Sequence, residues 1–172
     1  LPSEGSSHNL QLLRDGQADV AFVQGGTAEL QPDDPDNLVS LGSLFVEPLW
    51  LFYRTDAAER MHNAPRLDSL RQLRGWRVNV GSEGSGVPTL IERLLQANKV
   101  EPGSVKLSRL EQTPATVEFL AGRLDALVFA SAPESLMVQM LLQTPGVQLL
   151  DFAQHEAYAR RFPSLTPVML PR

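Results

Sequence analysis

The chain of 172 residues contains no cysteine, which removes disulfides, thiolate metal sites and thiol nucleophiles together. No apolar run approaches the roughly 18–20 residues that a membrane-spanning helix needs. Positive charge is also short, with 15 Lys and Arg against 20 Asp and Glu and a net charge of −5. A chain of that sign has no basic stripe for nucleic acid or for an anionic membrane. Only three histidines occur, His8, His62 and His155, and none has a partner at metal-ligand spacing. The opening "LPSEGS" has neither Met nor the basic start and apolar centre of a signal peptide. The last residues, "SLTPVMLPR", stop in an extended apolar run. A fragment of a longer protein is the expectation.

What the chain does have is alternation. "WRVNVG", "VKLSRL", "DALVFA" and "PGVQLLDF" read as strands, separated by helices at "VPTLIERLLQAN", "TPATVEFLAG" and "PESLMVQMLLQ". Thr113 is the expected N-cap of the second helix, Pro114 its first residue, and Pro133 the opening of the third. A short helix, "QHEAYARRF", precedes the end. Strands that alternate with helices of about 10 residues predict parallel pairing with crossover helices. Earlier in the chain, "SSHNLQLLRDG" reads as a helix capped by Ser6 or Ser7, and "ADVAFVQ" as a buried strand. "TAELQPDDPDN" is an acidic loop, and "LVSLGSLFVEPLWLFYR" is extended with a break near Glu47 and Pro48. Helical spacing then appears only at Leu67, Leu70 and Leu73.

One phrase is written twice. "LLRDGQADVAFVQ" at 12–24 and "FLAGRLDALVFAS" at 119–131 both run from a helix end through Gly to Asp and a β-prone stretch. Gly16 matches Gly122, and Asp19 matches Asp125. In each copy Gly would turn left-handed after a helix, and Asp would take backbone N–H bonds at the mouth of a strand. Two copies far apart suggest two α/β lobes, although Gly-x-x-Asp is also a common helix-to-strand turn.

The loop in "VNVGSEGSGVPTLIERLL" carries the most chemistry. A strand ends at Gly81, a Gly/Ser turn follows, and a helix begins near Pro88. Ligands in open α/β sheets bind beyond the carboxyl ends of strands, and a helix start offers free N–H groups and partial positive charge. Gly84 and Gly86 permit close backbone approach, while Ser82 and Ser85 add hydroxyls. The stretch suits a carboxylate, sulfonate or phosphate. A phosphate loop would need Gly-Lys-Ser/Thr and a dinucleotide loop Gly-x-Gly-x-x-Gly; this one has neither. Ser131, after the strand "DALVFA", faces the same side, with Ser6, Ser7, Asn9 and Gln24 at equivalent places in the first half. Ser85 does not sit in a nucleophile elbow, and the acidic run Asp33–Asp36 lacks calcium-loop spacing. No catalytic residue, cofactor or metal ligand is expected.

The ordered phrases "GSSHNLQLLRDGQADVAFVQGG", "FVEPLWLFYR", "LRGWRVNVGSEGSG" and "GRLDALVFASAPES" resemble the TAXI family, the extracytoplasmic solute receptors of TRAP transporters. The resemblance implies a type II periplasmic-binding-protein fold: two α/β lobes joined by crossover strands and closing on a small anionic solute, an amino acid or organic acid. It also implies a periplasmic location, a lost signal peptide, and delivery to membrane subunits driven by an ion gradient. On that frame 1–74 would be a partial first lobe and hinge, 75–163 the second lobe, and 164–172 the return crossover, leaving the first lobe incomplete. The implied ligand-binding set is Ser6, Ser7, Asn9, Gln24, Glu47, Ser82, Ser85, Gly86, Val87 and Ser131. Val87 stands where the family carries a hydroxyl residue, so one side-chain donor is missing. An effector domain of a transcription regulator is the alternative on the same fold, and an enzyme on that scaffold a third. Exposed first-lobe edges would favour a homodimer or domain swap.

Overall fold

The computed structural model describes residues 2–27 and 38–170. The acidic loop with Asp33–Asp36 lies outside them. The framework is a five-stranded sheet in the order β3-β2-β4-β1-β5, from β1 (Leu49–Arg54), β2 (Arg77–Asn79), β3 (Lys106–Ser108), β4 (Ala126–Ala130) and β5 (Val147–Leu149). β2 is parallel to β3 and β4, as the alternation predicts. Parallel pairing does not extend to β1: it runs antiparallel to both β4 and β5. It arrives from the first 48 residues rather than through a crossover helix, so the constraint that makes neighbours parallel does not act on it.

Both faces of the sheet are covered, which is why β1 and β4 read as unbroken apolar runs. Leu51, Tyr53, Ala126 and Val128 face one core, shared with Trp76, Ile91, Leu94 and Leu95. Their alternating neighbours Trp50, Phe52, Leu127 and Phe129 face the other, with Phe119, Val138 and Leu141. The first core is packed by α2 (Thr55–His62), α3 (Val87–Ala97) and residues near α6 (His155–Arg161); the second by α4 (Gln112–Leu120) and α5 (Leu136–Gln143). Trp76 is fully buried, edge-on to Tyr53 at 6.4 Å and stacked on His62 at 5.9 Å.

Several local expectations change. α1 (Ser6–Arg14) is capped by Gly5, with no side-chain bond from Ser6 or Ser7. α4 begins at Gln112 behind Glu111, so Thr113 and Pro114 lie inside its first turn; Pro is tolerated there because those N–H groups have no helical acceptor. Ser135, not Pro133, opens α5, its Oγ accepting the Val138 N–H at 3.3 Å. α2 went unseen because it buries only Ala57 and Ala58, too little apolar surface to mark a period. Residues 18–24 form no strand, and Val20 and Phe22 are exposed. Among the described residues nothing pairs with them, and a β-prone run becomes a strand only when a neighbour supplies the ladder.

Candidate functional site

Parallel β2 and β4 end on the same edge of the sheet, and antiparallel β1 begins there. The register pairs Leu49 with Ala130, and the Ser131 N–H donates to the Pro48 carbonyl at 3.2 Å. This edge therefore gathers Glu47, Ser131 and the Gly81–Val87 loop. Trp50 Nε1 donates to the Ser131 carbonyl at 2.9 Å, locking that corner. Glu47 is exposed and has no ion pair among the described residues.

In the loop, the Ser82 carbonyl accepts both the Ser85 N–H at 3.1 Å and the Ser85 hydroxyl at 2.9 Å. The Ser85 hydroxyl hydrogen is thus engaged within the turn. α3 starts at Val87 with Gly86 as N-cap and no side-chain cap. Gly86 and Val87 are buried, and among the described residues their N–H groups meet no acceptor. The Val87 side chain packs into the apolar core, so its backbone alone is offered to the edge. Arg109 reaches Glu83 at 3.0 Å and Glu92 at 2.8 Å, tying the loop to the helix behind it.

The first segment lies directly on this loop. The Ser7 N–H donates to the Gly84 carbonyl at 3.1 Å and its hydroxyl to the Ser85 carbonyl at 3.4 Å. Approach is backbone to backbone: a Cβ on Gly84 would stand 2.5 Å from both the Cβ and the carbonyl oxygen of Glu4, and one on Gly5 2.5 Å from the Gly84 carbonyl oxygen. Ser6 Oγ accepts the Gln24 N–H at 2.9 Å, which brings the turn at 24–27 over the start of α3. A Cβ on Gly86 would lie 2.3 Å from Thr27 Oγ1 and 2.6 Å from Gln24 Oε1. Asn9 is engaged elsewhere, donating from Nδ2 to the Phe22 carbonyl at 2.8 Å. Of the residues expected from sequence, Ser6, Ser7, Gln24, Ser82, Ser85, Gly86 and Val87 gather around one contact, with Glu47 and Ser131 on the same sheet edge. Thr27 was missed: it lies in no element with a period, and no motif points to it.

The NMT1-like family matches residues 2–172. An ancestral arginine-binding protein bound to arginine is 19% identical, with a TM-score of 0.52 over 82% of this chain and 55% of that one. The alkanesulfonate-binding protein SsuA from Xanthomonas axonopodis pv. citri, bound to MOPS, is 17% identical, with a TM-score of 0.52 over 93% and 55%. A periplasmic binding protein from Brucella ovis with glutathione bound is 21% identical, with a TM-score of 0.53 over 83% and 41%. The chain spans about half the length of these structures. The likeness is one of fold: a mixed α/β arrangement of the type II periplasmic-binding-protein kind.

Proposed function

This chain belongs to the NMT1-like family, and on that premise we propose that it is a receptor for a small anionic solute. An amino acid or organic acid is taken between two α/β lobes outside the cytoplasmic membrane and passed to the membrane subunits of a TRAP transporter. The second lobe spans 75–163, β1 crosses into it from the 1–74 segment, and 164–172 leads back. The carrying observation is the uncapped start of α3 at buried Gly86 and Val87, against which the turn at 24–27 packs. That end has the partial positive charge and the free donors that an anion takes. Arginine, MOPS and glutathione, the molecules held by the solved neighbours, each carry a carboxylate or a sulfonate. The TRAP assignment rests on the ordered phrases that resemble the TAXI family. Binding and release, without turnover, is the activity this reading requires.

Titration calorimetry against L-glutamate, L-arginine and MOPS tests the reading. At least one should bind, and Gly86→Ala should weaken it by about tenfold or more, since the added methyl meets Thr27 and Gln24. The backbone at Gly86 (φ −79°) is open to alanine, so the loss would be steric and local. Absence of heat and of any thermal shift with all three solutes, each of which carries a carboxylate or a sulfonate, would remove the proposal.

A further inference from the structure

Thr27 Oγ1 is the one side-chain nitrogen or oxygen among the described residues that is shut away from solvent without a hydrogen-bond partner. Buried hydroxyls are normally paired, and leaving one unpaired is costly. Its position gives the reason. A Cβ on Gly86 would fall 2.3 Å from this oxygen, so the hydroxyl stands against the first turn of α3. The turn that carries it is fixed on both sides: the Thr27 N–H donates to the Gln24 carbonyl at 3.2 Å, and Arg93 Nη1, from α3, donates to the Gly26 carbonyl at 3.4 Å.

We infer that Thr27 is a further binding residue, its hydroxyl donating to an oxygen of the same oxyanion group that the Gly86 and Val87 N–H groups receive. The inference deepens the receptor reading above and rests on it. The Thr27 hydroxyl lies beside Gly86, the residue that caps α3, and the proposed group would take three donors, two from backbone and one from the hydroxyl. A water oxygen accepts two hydrogen bonds, whereas a carboxylate offers about four acceptor positions over its two oxygens and satisfies all three donors.

The protein, Thr27→Val and Thr27→Ser are titrated with L-glutamate, L-arginine and MOPS, and each is melted without solute. For a probe that the parent binds, Val should weaken binding about tenfold and Ser less than about threefold. The solute-free Val variant should melt about 2–4 °C higher, because a methyl replaces an unpaired buried hydroxyl. A residue with a purely structural role would do the opposite, lowering the melting temperature and leaving affinity unchanged. Equal affinity in parent and Val, or a Val variant that melts lower, overturns the inference and leaves the receptor reading standing. Failure of the parent to bind any of the three overturns both.

Discussion

Asp125 shows how a single acid can organise one end of the sheet. Its carboxylate is buried and accepts from the Arg77 N–H and Nε at 2.9 Å, from Arg77 Nη2 at 2.6 Å and from Arg60 Nη2 at 2.8 Å. Burial pushes its carboxyl up, but the Arg77 side chain and N–H, with Arg60 behind them, outweigh burial and hold it below the ordinary value. A carboxyl lowered in the folded state stabilises the fold fully above its unfolded value, near 4, and loses that contribution as pH falls through the lowered one. Urea midpoints should therefore drop as pH is taken from 5 to about 2. Asp125→Ala should cost about 3 kcal/mol at neutral pH and flatten that acid limb. A variant with the parent's midpoint at pH 7 would show the cluster to be idle.

At the scale of elements, the doubled Gly-x-x-Asp phrase is half realised. After α1, the Gln17 N–H bonds to the Leu12 carbonyl and the Gly16 N–H to the Leu13 carbonyl; after α4, Arg123 bonds to Glu118 and Gly122 to Phe119 in the same pattern. Both glycines are left-handed, with φ of 65° and 78°. These are Schellman endings, and they account for the echo in the sequence. Gly122→Ala should cost about 1 kcal/mol in chemical denaturation from backbone strain, since the nearest atom to its added Cβ is 3.7 Å away. Gly122→Asn should cost less, and equal losses for the two would point to packing instead. The copies part at the next step. Asp125 opens a strand between two others, whereas Asp19 is exposed and no strand follows. The glycine-bearing helix C-termini were legible because a local bond pattern fixes them, whereas the starts of α1, α4 and α5 were not; the cores of β2 and β4, covered on both faces, and the apolar stripe of α3 were legible too. Pairing was not legible, because the ladder partner of 18–24 is not written in 18–24. The site was legible in part for the same reason. Gly84 and Gly86 stand in a local phrase, but Thr27 meets Gly86 only through a contact across the fold.

At the scale of the molecule, covered and bare regions differ sharply. The sheet is closed over on both faces, yet Val20 and Phe22 are 70% and 71% exposed, and Leu41 and Phe45 are 83% and 70% exposed. These are β-prone apolar residues in extended stretches without ladder partners among the described residues, and such stretches offer both unpaired backbone groups and apolar side chains to another chain. The 172-residue chain should therefore self-associate, with a sedimentation coefficient that rises through the micromolar range. Phe22→Asp combined with Phe45→Asp should suppress that rise. It should leave the melting transition near the parent's, because neither ring belongs to the two cores packed on the sheet. Two outcomes refute this. A parent that sediments as a monomer at every concentration would show the exposed stretches to be harmless. A double variant that melts well below the parent would show that the rings are buried in the folded protein.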